Sequence, residues 1–277
     1  MTKIKGKLIK HGFDPEKIVI GDDHYQLGAL APIILKPDGD WTDFLPLYEP
    51  QAENYETFGC TTFGTLNQLE ILQKFLEGKE PNYSERYLYN IVGIEPPGVS
   101  PHLVYEAIRK NGVIPQTALP VPSTLEEFKI PRPMLKEFLD IGLKWLQNYE
   151  ISHEWIISPT HEDIVSTLKF GPIGLSVTAW FEQDGLYVDN GLPNSHWVVC
   201  FASTPTPTGN ILTVFDSYDH AIKQIHPSHK IQFAKRISLL NKTKVIENIN
   251  SVKKNWLIDM AERALQFLKD LYKWLFR

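Results

Sequence analysis

The order of the hydrophobic periodicities constrains this chain's fold more than any other feature. From Cys60 to about Glu150 apolar residues recur mostly at helical spacing, whereas after Ile151 they fall mostly into short continuous runs. Phe63, Leu66, Leu69, Leu72, Phe75 and Leu76 lie three or four residues apart, or adjacent, which predicts a helix from Cys60 to about Glu77. "SERYLYNIVG" and "SPHLVYEAIRKNG" predict two shorter helices, the second opened by Ser-Pro and closed by Gly112. The prolines between Pro115 and Pro133 predict a loop, and "MLKEFLDIGLKWLQNYE" a further helix. "ISHEWIIS", "PIGLSVTAW", "GLYVD", "HWVVCFAS" and "ILTVFDSYD" read as strands, interrupted by "THEDIVSTLKFG", whose Thr160–Asp163 spacing suits a capping box. Helices first and strands later imply an α+β protein with segregated halves, not alternating βαβ units.

The 277 residues suit one large domain or two small ones. A formal charge of -5 supplies no basic footprint, so nucleic acid is not an expected partner. Two cysteines, Cys60 and Cys200, cannot form a disulfide framework, although a single bridge between them stays open. "MTKIKGKLIKHGFD" has no apolar run suited to a signal peptide, and nothing approaches the roughly 20 apolar residues of a membrane span. The expectation is a cytoplasmic or virion-associated protein.

The chemistry concentrates on three residues. Cys60 falls in the first turn of the first long helix, where free amide groups and the helix dipole favour a thiolate. His196 opens the apolar strand "HWVVCF", and Asp216 closes the next one, "ILTVFD", so neighbouring strands would present them side by side. A thiol, an imidazole and a carboxylate make a nucleophile, its base and the base's orienting group. Such chemistry asks for no metal and no cofactor. Each residue also has an inert reading: a small core hydrophobe for Cys60, a strand-end histidine for His196 and a turn residue for Asp216.

The order Cys, then His 136 residues on, then an orienting residue 20 further, resembles the papain-like cysteine peptidases. The resemblance runs from about Asp40 to Leu240. "DW" at Asp40–Trp41 resembles the start of a mature domain of that family, and "CTTFGTLNQLE" its cysteine-bearing helix. "GPIGLSV", "HWVVCFAS" and "DSYD" stand where the family has its "GPVSVAI", "HAV-VVGYG" and "NSWG" segments. The resemblance implies a two-lobed fold, a helical lobe and a curved antiparallel sheet with a cleft between them. It implies hydrolysis of peptide bonds, with a peptide or protein as substrate. It also implies an oxyanion-hole amide six residues before the cysteine, at Asn54, with Gln51 as the alternative, and a substrate cleft at Gly98, Val99, Val177 and Tyr218. The family's orienting Asn is here Asp216, which, being ionised, is expected to favour the imidazolium form of His196. Glu70 matches an acidic position of the family and reads as structural.

On this reading residues 1–39 are an N-terminal extension, shorter than the inhibitory propeptide of secreted members. Residues 40–241 form the peptidase domain, with helices over about 50–150 and strands over about 151–241. Residues 242–277 contain "NWLIDMAERALQFLKDLYKWLFR", a strongly amphipathic helix. Its apolar arc has three candidate destinations: its own domain, a protein partner or second copy, or a membrane surface. Two other functions stay open. One is a different acyl transfer on the same three groups, such as transglutaminase-like chemistry, against which the long Cys-to-His separation argues. The other is a catalytically silent module with a binding role in a larger assembly such as a virion.

Overall fold

The computed structural model describes residues 33–131, 135–218 and 221–245, together with positions 12, 13, 18, 20, 21, 24, 26, 256, 258, 260, 262 and 263. Helices lead and strands follow. The helices are α1 (Cys60–Glu77), α2 (Glu85–Val92), α3 (Pro101–Asn111), α4 (Leu125–Phe128), α5 (Lys136–Asn148) and α6 (His161–Leu168). The strands are β1 (Tyr149–Ile157), β2 (Ile173–Val177), β3 (Glu182–Gln183), β4 (Leu186–Tyr187), β5 (His196–Thr206), β6 (Gly209–Phe215), β7 (Ile222–Ile225) and β8 (Phe233–Asn241). All strands join one sheet in the order β1-β8-β2-β5-β6-β7-β4-β3, antiparallel except where β4 meets β7. The expected α+β architecture is therefore present. The expected loop between Pro115 and Pro133 is broken by a short 3-10 turn, Gln116–Ala118, and by α4, whose N-cap Thr124 accepts from the Glu127 N–H. Among the described residues no helix is long and apolar enough to cross a membrane.

α1 is the central helix, buried from Cys60 through Gln73. It packs on β5, β8 and β2. Gly64 permits the close approach: a Cβ there would lie 2.9 Å from Cδ1 of Trp197 on β5. The helix stops at Gly78, left-handed at φ 67°, whose N–H reaches the Lys74 carbonyl. Glu70, inward on α1, accepts from the Tyr83 N–H at 2.7 Å and so anchors the start of α2, a structural role. Trp41 is fully buried; its indole donates to the Leu168 carbonyl at 2.8 Å and its N–H to Phe201 on β5. The capping box at Thr160–Asp163 forms as expected. Cys60 and Cys200 are both free thiols, which removes the single-bridge alternative.

The C-terminal amphipathic helix lies largely outside the described residues. Trp256, Ile258 and Met260 are described, and each is exposed.

Candidate active site

His196 is the first residue of β5, and Asp216 follows the last residue of β6. Those strands pair antiparallel, with Val199 opposite Phe215, so the start of one lies beside the end of the other. The consequence is a contact of 2.5 Å between His196 Nε2 and Asp216 Oδ1, both residues fully buried. Val177, at the end of β2, is the cross-strand partner of His196 and is itself fully buried. Cys60 begins α1 directly behind Gly59, with Phe58 left-handed at φ 57° in the turn before it. The backbone N–H groups of Trp197, the residue after His196, and of Thr61 favour the ionised form of the sulfur. The site thus gathers Cys60, the opening of β5 and Asp216.

Burial is complete around the sulfur and decides its ionisation. It pushes the Cys60 thiol well above the ordinary range, and the charges of Asp216 and Glu56 add to this, outweighing the two N–H donors. Burial therefore opposes the thiolate that the helix start favours. Asp216 behaves oppositely. Burial alone would raise its pKa, but the His196 ring and the Lys223 ammonium hold it down to about 2. Lys223 Nζ lies 2.7 Å from Asp216 Oδ2, so each carboxylate oxygen has its own partner.

Two aromatic rings cover the histidine. Trp180 meets it edge-on, centroids 5.8 Å apart at 78°, and Tyr218 lies tilted at 5.1 Å. The Tyr218 hydroxyl donates to Glu56 Oε2. Gln51 joins the same network. Its Nε2 donates to the Tyr218 hydroxyl at 2.9 Å and to Glu56 Oε1 at 3.1 Å, and its Oε1 accepts from Ser217 Oγ at 2.7 Å. Asn54 is exposed in the turn that follows Gln51. The structure therefore brings Gln51, not Asn54, into the site. The turn over residues 51–55 leaves Asn54, six residues before Cys60, exposed.

Gly12 lies against Gly98 and Val99. Gly12 forms a parallel bridge with Gly98, its carbonyl accepting from the Val99 N–H at 3.0 Å. The approach is so close that only glycines fit. A Cβ on Gly98 would lie 1.8 Å from the Gly12 carbonyl oxygen, and one on Gly12 would lie 2.2 Å from the Phe58 oxygen and 3.0 Å from the Cys60 nitrogen. Phe13 is fully buried, stacked on Trp197 at 5.7 Å and 24°. Gly12 thus spans from Gly98 to the start of α1.

Phe13, Glu56, Trp180, Ser217 and Lys223 all bear on the site and were not singled out by sequence. Only Lys223 had a usable signal: in "IKQI" it shares a strand face with Ile225, an inward position.

No family model and no curated relative matches the sequence. Solved structures do. A structure from a study of the mite allergens Blo t 1 and Der p 1 superimposes with a TM-score of 0.57 at 12% identity, covering 78% of this chain and 74% of that one. The ragweed pollen cysteine protease Amb a 11, in its proform, gives 0.54 at 16% identity over 74% of this chain and 67% of its own. Procathepsin L 3 from the larval midgut of Tenebrio molitor gives 0.56 at 12% identity over 83% and 77%. The chain has the papain-like fold.

Proposed function

We propose that this protein is a thiol peptidase, hydrolysing peptide bonds with Cys60 as nucleophile, His196 as acid and base, and Asp216 as the group that orients the imidazole. The observation that carries this reading is the 2.5 Å contact of His196 Nε2 with Asp216 Oδ1, with Asp216 close enough to Cys60 for its charge to act on the thiol. An ionised Asp216 fixes Nε2 as the protonated nitrogen and leaves Nδ1 to exchange the proton with the thiol. Cys60 would attack the carbonyl carbon while Nδ1 takes its proton. The same proton would pass to the leaving amine as the C–N bond breaks, leaving a thioester. Water, deprotonated by Nδ1, would then release the acid. The Cys60 N–H and the Gln51 amide would hold the oxyanion, which must compete with Glu56 for one Gln51 N–H. Residues 40–241 would form the peptidase domain, with a peptide or protein as substrate.

Gly12 and Phe13 would hold the cleft closed until displaced, and two of the structural neighbours are themselves proforms. The same contact supports a second reading, a silent papain-like module, because Phe13 is itself fully buried in the core. Labelling with an epoxysuccinyl thiol inhibitor separates the two. A peptidase labels at Cys60, directly or after Phe13→Ala, and loses the label in His196→Ala. Folded protein that labels in neither form is the silent module.

A further inference from the structure

We propose that Lys223 is a positioning residue of this site, cancelling the charge of Asp216 so that the carboxylate orients His196 as a neutral amide would. The inference rests on the peptidase reading for its purpose, but its test does not depend on turnover.

The geometry begins with the hairpin. β6 and β7 pair with Val214 opposite Lys223, and the Asp216 N–H closes the loop on the Ala221 carbonyl at 2.7 Å. β7 alternates exposed and buried, and Lys223 takes an inward position beside Ile225. A buried lysine is costly unless it is paired. Here its ammonium lies 2.7 Å from Asp216 Oδ2, and 5.2 Å from the centroid of the Trp180 ring, on the face of an aromatic that prefers cations. The same Trp180 presents its edge geometry to His196. One carboxylate is therefore bracketed by imidazole on Oδ1 and ammonium on Oδ2, and one indole covers both.

The charge count follows. Asp216 alone would add a full negative charge beside His196 and hold its proton; the Asp216–Lys223 pair adds none. Among the described residues, the other titratable groups facing this cluster are Cys60 from α1, Tyr187 from β4, and Tyr218 with Glu56 from the two loops. None of these supplies a second cation.

Imidazole 15N NMR of the full chain reads the effect at His196 directly. In Lys223→Met the titration midpoint of His196 is expected to rise by about 1 pH unit or more relative to the wild type, the size typical of removing one nearby charge. Lys223→Arg should stay near the wild-type midpoint, and Asp216→Asn/Lys223→Met, which removes both charges, should return towards it. An unchanged midpoint in Lys223→Met overturns the proposal, as does a double variant that keeps the full shift. Should Lys223→Met fail to fold, a folded double variant supports charge compensation, and an unfolded one overturns it. Peptide turnover is assayed separately. Its absence alongside the expected titration shifts removes the peptidase reading and leaves the role of Lys223 standing.

Discussion

Replacing Phe13 by Ala is expected to expose Cys60 to reagents long before it unfolds the protein. Phe13 is fully buried, with Trp197 stacked at 5.7 Å and Phe233 at 6.5 Å. Truncating a core phenylalanine costs about 3–5 kcal/mol. The bond from Val99 N–H to the Gly12 carbonyl survives the change and retains on the order of 1 kcal/mol. A loss of about 3 kcal/mol from docking raises the population with this region lifted by roughly 150-fold. When opening and closing are fast, alkylation of Cys60 accelerates in proportion. Cys200 is the internal control: it lies buried on β5 with its thiol pushed up to about 12, so it reacts only when the core opens. Iodoacetamide labelling read peptide by peptide should show Cys60 faster by about two orders of magnitude and Cys200 far less changed. Equal acceleration at both thiols, or none at Cys60 in folded protein, refutes the reasoning.

Gln51→Ala is expected to lower kcat by roughly 10²- to 10³-fold, the effect of one lost oxyanion donor, while Asn54→Ala leaves it within about twofold; steady-state kinetics on one peptide decides between the two amides. Lys235, buried beside His153 Nδ1 at 2.9 Å, gives a pH-dependent stability prediction. Burial lowers its pKa from 10.5 to about 7, so between those values the unfolded chain binds the extra proton. Its contribution is full above pH 10.5 and is lost as pH falls to about 7. At about 1.4 kcal/mol per pH unit that span amounts to on the order of 4–5 kcal/mol. Thermal unfolding of Lys235→Met should therefore gain on the wild type as pH falls from 10 to 7; parallel curves would contradict the assignment.

Local signals explain what was legible. α1, α2, α3 and α5 carry their apolar residues at helical spacing, and β2, β5 and β6 contain near-continuous apolar runs, so the segregated order could be read directly. His196 and Asp216 could be read because each bounds such a run. β8 could not, because Lys235 and Arg236 break its pattern, and both are buried on partners far away in sequence. Arg236 meets Glu154 at 2.7 Å, and Lys235 meets His153. Lys223 is the same case at the site itself: a charged residue in an inward strand position makes sense only once Asp216 is folded against it. For the amide, spacing is the only guide in the sequence, and it does not reveal that the turn over 51–55 leaves Asn54 exposed. A helix start favours a thiolate locally, while the burial that opposes it comes from residues distant in sequence and is not legible there.

Peptide hydrolysis that depends on Cys60 is the most direct test of the account. A library of peptides is incubated with the wild type and Phe13→Ala, and with the same two proteins carrying Cys60→Ala, and new termini are counted by mass spectrometry. The account predicts cleavage by Phe13→Ala at least, and none by either Cys60→Ala form. A folded Phe13→Ala protein whose Cys60 alkylates rapidly but which cleaves no peptide would contradict it.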